Sequence, residues 1–471
     1  EPRGHDMDIA EQPGQTAPAV AAPPQRVSLG RQLAINVFWF ANNVHWNALL
    51  SVVLPTAVAT LLPFANKDLN LALVLAPGTL VAFVVNPLTG ALSDYARFRL
   101  GRRRPFMLVG TVLNVAVLLA LGFVCFTADG RYSAVTLLWL FIGLFALLQF
   151  ANNFANSPWS AIIADQVPEA QRGSASGFYG LMTLLGTAVG VELAAAIVTT
   201  NANPGQQPPN TLPFRTALLT IFIVLAIIQV AFVALTVLAV RETPLAEPRP
   251  FAWGAFFARF RFDPRTYPDF SWILLTRIMI MTGIWSINFF LLYYMTDVLG
   301  ITGNGHGASA FGFTVSSPQQ ALAFFLPLVL VSSALTVYFA GWLSDRVGRK
   351  KLVYLSGAMM TIVALIFIFA QSLSAALVAA LFFGLGFGAY TSVDWALATD
   401  VLPPTDEFGK YMGIWSAAGI IPQVIGVVLG GTITHFLKQL PSHLGYDALF
   451  GVTVVLFLLG TLLVRQVRGA R

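Results

Sequence analysis

Twelve long apolar stretches run along the chain, separated by short polar or Gly/Pro-containing turns. Each stretch is long enough, at 1.5 Å per residue, to cross a hydrocarbon layer of about 30 Å as an α-helix. The pattern therefore predicts an all-α membrane protein with twelve transmembrane helices. The expected spans are 33–62, 71–93, 105–127, 134–164, 173–199, 213–240, 270–299, 318–343, 352–371, 374–399, 409–436 and 446–464.

Composition agrees with this pattern and excludes a soluble protein. Of the 471 residues, 56% are hydrophobic and only 10% are charged, whereas soluble domains carry about 25% charged residues. The only cysteine is Cys125, which falls inside a span, so no disulfide forms within the chain. The five histidines do not have the spacing of metal ligands, and we expect no metal site and no bound cofactor.

The segments outside the spans suggest the domain boundaries. Residues 1–30 are rich in Pro, Ala and Gln and are expected to form a disordered cytoplasmic tail. Residues 31–240 and 270–466 are expected to form two six-helix bundles. Residues 241–269 join them and contain a basic amphipathic stretch, which is typical of a helix lying on a membrane surface. Residues 467–471 form a second short tail.

Lysine and arginine are distributed unevenly between the two sides of the membrane that the spans define. With both termini in the cytoplasm, 22 basic residues lie on cytoplasmic segments, four lie on external segments, and Arg277 falls inside span seven. Membrane proteins keep such an excess on the cytoplasmic side. We therefore expect cytoplasmic termini and a plasma membrane location, which in bacteria is the inner membrane. This distribution explains the net charge of +6, so no nucleic-acid partner is expected.

Two motifs recur in register, the first 251 residues apart and the second 235 residues apart. The first reads Gly90-Ala-Leu-Ser-Asp94 with Gly101-Arg-Arg-Arg104, and again Gly341-Trp-Leu-Ser-Asp345 with Gly348-Arg-Lys-Lys351. The second places Asp165 and Asp400 before a similar turn at the end of the fourth and tenth spans. Glycine lets helices approach closely, and the carboxylates lie near arginines at the membrane surface. The repeats predict two pseudo-symmetric, parallel six-helix bundles with a solute site between them.

The motif between spans two and three resembles the signature of the major facilitator superfamily. The resemblance implies transport by alternating access, with the motif acting as a cytoplasmic latch that holds the halves together when the cavity faces outward. One chain of twelve helices is enough for a complete pathway, so we expect a monomer in the lipid bilayer. The residues expected in the latch are Gly90, Asp94, Arg97, Gly101, Arg102, Arg103, Asp165, Arg172, Gly341, Asp345, Arg349 and Asp400.

A closer resemblance lies in the N-terminal half. Residues 86–106, residues 156–165 and Trp46-Asn-Ala48-Leu49 are similar to segments of sucrose:proton symporters and of glycoside–pentoside–hexuronide:cation symporters. The resemblance implies a sugar or glycoside as the solute. Sodium-coupled members carry Asp where this chain has Asn86, which favours protons over sodium. Sucrose-type members carry Arg after the fourth-helix proline, where this chain has Trp159, so sucrose itself is not implied.

Polar residues inside four spans recur at helical spacing and are expected to line a cavity, because polar groups in hydrocarbon are costly. Amide groups both donate to and accept from sugar hydroxyls. The same side chains can instead hold neighbouring helices together. The residues expected to bind solute are Asn43, Trp46, Asn47, Gln149, Asn152, Asn153, Asn156, Trp285, Asn288, Tyr390 and Thr391, and Asn36 and Phe387 lie on the same faces. The resemblance implies that spans one, four, seven and ten line the cavity.

Four ionisable residues lie within spans and are candidates for proton coupling. Arg277 and Asp394 each sit roughly 10 Å to the cytoplasmic side of their span centres, at 1.5 Å per residue. We expect them to pair, since an unpaired buried charge is costly; protonation of Asp394 would then release Arg277, or the pair is permanently structural. Glu192 lacks an obvious partner and is a rival proton site. His45 belongs to a residue type that titrates near neutral pH, but it could equally be structural.

Three other functions stay open at this stage. Proton-driven efflux of drugs or metabolites uses the same fold and a similar mixture of polar and aromatic residues. A solute receptor or a lipid scramblase would be a non-transporting use of the fold, although no long soluble domain points to a receptor. An enzyme is not expected, because the chain has neither a phosphate-binding Gly-Lys-Ser/Thr loop nor an identifiable nucleophile–base arrangement.

Overall fold

The computed structural model describes residues 26–96, 98–168, 171–240, 242, 253–254, 263–369, 371–401, 408–437 and 443–468. Twelve helices are long and apolar enough to cross a membrane, so the prediction of twelve spans is confirmed. We number them α1 Leu29–Leu61, α2 Lys67–Tyr95, α3 Arg104–Phe126, α4 Ala134–Ser160, α5 Arg172–Ile197, α6 Leu212–Ala239, α7 Pro268–Asp297, α8 Pro318–Val347, α9 Arg349–Phe369, α10 Leu373–Asp400, α11 Phe408–Leu437 and α12 Leu444–Leu463. The expected tail over residues 1–25 and most of the linker, with its amphipathic stretch, lie outside the described residues.

Helix pairing is the same in the two halves. In the N-terminal half the packed pairs are α1–α5, α1–α6, α2–α4, α3–α4 and α3–α6. Adding six to each number gives the pairs of the C-terminal half, which are α7–α11, α7–α12, α8–α10, α9–α10 and α9–α12. The sequence repeats therefore correspond to two pseudo-symmetric bundles, as predicted. The bundles meet along α2–α11 and α5–α8, which are again related by the same shift of six.

Small residues permit the closest helix contacts. Gly186 and Gly190 of α5 face α1, and a Cβ atom at Gly190 would lie 2.4 Å from the carbonyl oxygen of Val44. Gly90 of α2 faces α4, where a Cβ atom would lie 2.7 Å from Oγ of Ser157. This agrees with the expectation that the first motif glycine allows two helices to approach. Without a hydrophobic driving force between helices in lipid, such close packing is a main source of their association.

The first span is continuous but changes geometry near its middle. Residues Leu49–Val53 form a π-helical turn, and Leu54–Leu61 continues as α-helix with Pro55 in its first turn. Proline removes a backbone donor and crowds the preceding turn, and a wider π-turn accommodates both effects. The carbonyl of Pro55 accepts a hydrogen bond from the Tyr293 hydroxyl of α7 at 2.8 Å, which joins the two halves.

Two helix boundaries differ from the sequence prediction for identifiable reasons. The described chain already packs at Val27, whose backbone exchanges two hydrogen bonds with the side chain of Gln171, so the ordered part begins before residue 31. Helix α2 begins at Lys67, four residues before the predicted span. The sequence prediction leaves Lys67 and Asp68 outside the span because they are charged, yet both are buried in the structure.

The described hydrogen bonds and ion pairs between the halves lie at one end of the molecule, which we call the closed end. It carries Lys67 of α2 and Asp297 of α7, and the sequence predicts that it faces outward. Gln319 of α8 donates to Oγ1 of Thr56 at 3.2 Å and of Thr200 at 3.0 Å. A two-stranded hairpin that was not predicted, Ala308–Ala310 with Phe313–Val315, lies at the same end between α7 and α8.

Candidate functional site

A buried charged cluster occupies the C-terminal half. Arg277 of α7 forms a salt bridge with Asp394 of α10, so the predicted pairing is confirmed. The Tyr390 hydroxyl donates to the other carboxylate oxygen, Oδ1 of Asp394, at 3.1 Å. The guanidinium carbon of Arg277 lies 3.6 Å from the centre of the Trp415 ring of α11. Residues of α7, α10 and α11 thus meet around the Arg277 guanidinium.

The geometry of this cluster ties the arginine to the carboxylate and the indole ring. Asp394 is buried, and Arg277 is mostly buried. Cation–π contact and ion pairing together compensate for the charge that the arginine carries into the bundle. Nε of Arg277 has no hydrogen-bond acceptor among the described residues. A change in charge at Asp394 would therefore leave Arg277 with the indole as its remaining described partner.

The amide face of α4 divides into two parts. Asn153 donates to the backbone oxygen of Gln149 at 2.8 Å and to its side-chain oxygen at 3.2 Å, and it accepts from Asn86 of α2 at 3.2 Å. These groups hold helices together. Asn152 makes no side-chain hydrogen bond within the described part of the chain, and Oδ1 of Asn156 has no partner there either. Asn152 and Asn156 therefore keep free capacity for a solute.

The asparagines of α1 mostly bond within the N-terminal half. Asn43 donates to the carbonyl of Trp39 at 2.8 Å. Asn47 donates to the carbonyl of Asn43 at 2.9 Å and to Oγ1 of Thr187 of α5 at 3.0 Å. Asn36 is buried between α1 and α5, where it donates to two backbone carbonyls. Asn43 and Asn47 are half-buried, so the oxygens of their side-chain amides stay available as acceptors.

His45 and Trp46 are neighbours with different surroundings. His45 is fully buried, and its Nδ1 lies 3.0 Å from Nε2 of Gln229 of α6, on the side of α1 that packs against α6. Trp46 is half-buried, stacks on His45 with ring centroids 4.8 Å apart, and meets the edge of Phe145 of α4 at 6.1 Å. The structure favours a packing role for His45, whereas Trp46 turns towards α4.

The predicted residues of α7 and α10 form a mainly aromatic face. Trp285 stacks on Phe289 with ring centroids 5.3 Å apart, and Phe387 stacks on Phe383 at 6.1 Å. Asn288 lines a small cavity of about 40 Å³ together with Phe383. Thr391 bonds back to the carbonyl of Phe387 at 3.0 Å. Thr391 contributes its methyl group and one acceptor to this face, and Asn288 contributes its free amide.

Glu192 lies apart from these groups. It is exposed on α5 and lines a groove between α5, α8 and α10, together with apolar side chains such as Phe324 and Leu381. The groove is on the outer surface of the bundle rather than between the polar faces of α1, α4, α7 and α10. The sequence placed Glu192 inside a span correctly, but its surroundings differ from those of Asp394.

The closed end contains a charged cluster that the sequence analysis did not identify. Nζ of Lys67 lies 2.5 Å from Oδ1 of Asp297 and 4.2 Å from the ring centre of Phe64. The Tyr446 hydroxyl of α12 donates to Oδ2 of Asp297 at 2.7 Å and lies 3.4 Å from Oδ1 of Asp68. Lys67 is one of the four basic residues on external segments. Nothing in the spacing of the nearby sequence links it to Asp297, which is 230 positions away.

At the opposite end, Arg103 organises the first motif. Its guanidinium bonds to Oδ1 of Asp94 at 2.7 Å, to Oδ2 of Asp165 at 2.8 Å and to Oγ of Ser93 at 2.7 Å. Arg102 pairs with the other oxygen of Asp165 at 2.8 Å. Gly101 has φ +103°, a left-handed conformation that glycine adopts without strain. The motif thus joins α2, the following turn and the end of α4.

The C-terminal copies of the two motifs make the equivalent contact. Arg349, from the second copy of the first motif, pairs with Asp400 at 2.5 Å. Each of these described pairs connects elements of one half, and none of them is the contact between halves that the resemblance implies. Arg97 lies outside the described residues, as do the side chains of Arg172 and Asp345 and the surroundings of Gly341. Among the residues described, no group of three or more His, Cys, Asp or Glu side chains could hold a metal ion.

Trp159, which stands where the resemblance to sucrose-type symporters implies an arginine, belongs to an aromatic stack. Its ring centroid lies 5.0 Å from Phe38 and 5.3 Å from Trp39, and its indole nitrogen donates to the carbonyl of Ile35 at 2.9 Å. The residue is buried between α1 and α4. A neutral packed contact therefore occupies this position.

Comparison with known proteins places the chain among membrane transporters. The family model of the Major Facilitator Superfamily matches residues 46–330 and 308–469. A sucrose transport protein of Arabidopsis thaliana is 30% identical over 132 residues, which cover 25% of this chain and 22% of that protein. A general alpha-glucoside permease of Schizosaccharomyces pombe is 31% identical over 119 residues, covering 24% of this chain and 21% of the permease. The matched segments thus span under a quarter of these curated relatives.

Solved structures share the whole fold at low identity. A bacterial homolog of the human lysosomal transporter Spinster, in an inward-facing and unoccupied conformation, matches with a TM-score of 0.66 and 14% identity, over 93% of this chain and 96% of that one. A bacterial homologue of the iron transporter ferroportin, in an inward-facing state, matches with a TM-score of 0.69 and 15% identity, over 94% and 99% of the two chains.

Proposed function

The chain belongs to the major facilitator superfamily, and on this premise we propose that it moves a small polar solute, a sugar or glycoside, across the membrane by alternating access coupled to protons. The observation that carries the proposal is the polar face of α4. Asn152 and the Oδ1 atom of Asn156 have no hydrogen-bond partner in the described part of the chain. A buried amide oxygen without a partner, such as Oδ1 of Asn156, costs free energy, which a solute hydroxyl would recover.

Aromatic side chains complete the proposed sugar site. Trp46 of the N-terminal half and Trp285 of the C-terminal half are half-buried, and each belongs to a larger aromatic group. Flat rings pack against the C–H faces of a sugar, while the amides of α4 bond to its hydroxyls. The similarity to a sucrose transport protein and to an alpha-glucoside permease supports this solute class.

The cluster around Asp394 is the proposed site of proton coupling. In the charged state Asp394 holds Arg277 and accepts from the Tyr390 hydroxyl. Addition of a proton would neutralise the carboxylate, weaken the ion pair and let the guanidinium move with α7. Because α7 and α10 both belong to the C-terminal half, this movement of the guanidinium would alter the surface of the C-terminal half that faces the solute.

The closed end is proposed to face outward, in line with the excess of basic residues on the other side. The structure would then represent the state that is shut towards the exterior. Opening it outward requires separation of Lys67 from Asp297 and of Gln319 from Thr56, since each of these contacts joins the two halves. The cost of separating them sets part of the balance between the two states.

The test is uptake by purified protein in sealed proteoliposomes. A panel of labelled glycosides would be offered with and without an inward proton gradient, and a protonophore would serve as the control for coupling. We expect accumulation of at least one glycoside above its external concentration, dependent on the gradient. Vesicles containing Asp394→Asn protein at the same density provide the matched control.

Two results would overturn parts of this proposal. Accumulation that survives the protonophore would reject proton coupling but keep the solute class. Failure of every glycoside, in vesicles shown to be sealed and to contain folded protein, would reject sugar import. In that case the next assay would be efflux of amphiphilic drugs, driven by the same gradient in the opposite sense.

A further inference from the structure

A groove of about 540 Å³ runs along the outer surface of the bundle at the junction of the two halves. Its apolar walls come from α8 and α10 of the C-terminal half, and α5 of the N-terminal half contributes Glu192. Its apolar lining includes Phe324, Leu328 and Leu381, and Phe311 and Phe313 of the β-hairpin complete it. Glu192 is the charged residue among those that line it.

The groove opens towards lipid rather than towards the central faces. On α8 the residues that line it, Phe324 and Val331, are exposed, the latter by 61%. Phe325 and Val329 point the other way, are buried, and share a separate cavity with Asn288 of α7. Neighbouring positions on a helix point in different directions. One side of α8 therefore faces the groove, and the other faces the interior of the bundle. The groove is thus accessible to molecules dissolved in the bilayer.

Its depth can be estimated from α5. The helix has 26 residues, or about 39 Å at 1.5 Å per residue, which exceeds a hydrocarbon core of about 30 Å by roughly 4–5 Å at each end. Glu192 lies five residues before the last helical residue, Ile197, which is about 8 Å along the axis. Its carboxylate is therefore near the boundary between acyl chains and head groups, at the closed end.

Glu192 has no salt bridge and no hydrogen bond with any part of the chain that the structure describes. An exposed carboxylate near this boundary is accessible to the cationic head group of a lipid and attracts it. The groove offers such a lipid apolar walls that include Phe324, Leu328 and Leu381. A molecule that fits has a cationic head and one or two hydrocarbon chains.

We propose that this groove binds a bilayer lipid with a primary ammonium head group, of the phosphatidylethanolamine class, in the leaflet at the closed end. The ammonium group donates to the Glu192 carboxylate, and an acyl chain lies along Phe324, Leu328 and Leu381. The site is separate from the proposed sugar site. Because Glu192 belongs to α5 and the apolar walls belong to α8 and α10, a bound lipid bridges the two halves and stabilises the closed end.

The test is lipid binding to purified, delipidated protein, measured by native mass spectrometry in the absence of any solute. Phosphatidylethanolamine, phosphatidylglycerol and dodecylamine would be titrated separately. We expect Glu192→Gln to weaken phosphatidylethanolamine binding about tenfold and to leave phosphatidylglycerol binding within about twofold. Asp447→Asn is the matched control, since Asp447 lies three residues inside α12 at the same end but outside the groove; it should leave both lipids within about twofold.

A second variant tests the apolar walls independently of the charge. Val331→Trp places a large side chain in the groove and should also weaken phosphatidylethanolamine binding about tenfold, with an unchanged melting temperature. Equal binding by parent and Glu192→Gln protein would overturn the proposal. So would dodecylamine binding that depends on Glu192 while phosphatidylethanolamine binding does not, because the occupant would then be a small hydrophobic cation rather than a lipid. These outcomes do not depend on whether the protein transports a sugar.

Discussion

Lys67 and Asp297 join the two halves through an ion pair with an Nζ–Oδ1 distance of 2.5 Å, at side-chain exposures of only 1% and 12%. Tyr446 donates to the second carboxylate oxygen of Asp297, and the ring of Tyr293 lies 4.8 Å from the ammonium group. A buried pair adds little net stability over an apolar pair of the same shape, but the loss of one partner leaves an uncompensated charge. A single substitution should therefore destabilise the closed end, and the double substitution should restore part of the loss.

Replacing one member of this pair should open the closed end. For Lys67→Met or Asp297→Leu we expect a loss of about 3–5 kcal/mol from the closed arrangement, and for the double variant recovery of part of it, since the buried carboxylate of Asp68 remains. The measurement is the distance between spin labels at Ala134→Cys and His306→Cys, which are exposed and lie in different halves. Cys125 is the only native cysteine and is buried, so labelling can be selective.

The control for this experiment is Arg131→Ala, which removes an exposed pair with Asp129 at 3.8 Å. Exposed pairs contribute little, so the label distance should not change. A double variant that remains as open as the single variants would contradict the explanation, because it would show that the specific pair, rather than the unpaired charge, keeps the end closed.

Proton coupling should depend on the carboxylate of Asp394. Asp394→Asn keeps the shape of the side chain but cannot change charge, so we expect it to abolish gradient-driven accumulation and to retain exchange of labelled for unlabelled solute. Tyr390→Phe removes only the hydroxyl that donates to Asp394 at 3.1 Å, and it should retain accumulation at a reduced rate. Both are read in proteoliposomes. Undiminished accumulation by Asp394→Asn protein would exclude Asp394 from the mechanism.

The sequence predicted the Arg277–Asp394 pair but not the Lys67–Asp297 pair, and the reason is physical. Arg277 and Asp394 stand inside apolar spans, where an isolated charge is costly enough to require a partner. Because the two residues lie at a similar depth, the sequence predicts that each is the partner of the other. Lys67 and Asp297 stand at span ends, where a charge is normally solvated. Only the packing of α2 against α11 and of α7 against α12 buries them. The burial of a charged residue at a helix end depends on tertiary packing, which the hydrophobic periodicity of the sequence does not predict.

The amides of α4 illustrate a different limit. Helical spacing correctly placed Gln149, Asn152, Asn153 and Asn156 on one face, but it could not separate groups that bond to the protein from groups that remain free. That distinction depends on whether a neighbouring helix presents a partner at the same height, as α2 presents Asn86 to Asn153. Likewise, the spans located Glu192 within the membrane, whereas only the structure shows that it lines the groove beside α8.

Asn152 and Asn153 should respond differently to alanine. Asn153 bonds to Gln149 and Asn86, so Asn153→Ala should lower stability by about 1 kcal/mol for each hydrogen bond removed. Asn152 has no such partner in the described chain, so Asn152→Ala should keep the melting temperature and raise KM for the solute at least tenfold. Thermal unfolding in detergent and initial uptake rates separate the two effects. An unchanged KM for Asn152→Ala would remove that residue from the solute site.

Arg103 should be intolerant even of lysine. Its planar guanidinium bonds at the same time to Asp94, Asp165 and Ser93, whereas an ammonium group cannot reproduce that fork. Asp94 is half exposed, so most of the loss should come from Asp165 and Ser93. We expect Arg103→Lys to reduce the free energy of unfolding by about 2 kcal/mol or more, since hydrogen bonds to charged groups are each worth about 1.5–3 kcal/mol.

Arg102 provides the matched comparison for Arg103, one residue away in the same turn. It makes one described ion pair with Asp165, and its side chain is 29% exposed. Arg102→Lys keeps the charge in a solvated position and should change the free energy of unfolding by less than about 1 kcal/mol. Denaturant titration of both variants, followed by tryptophan fluorescence, gives the comparison. Equal losses would mean that the motif depends on positive charge alone, and a loss confined to Arg103 would establish the guanidinium geometry as the requirement.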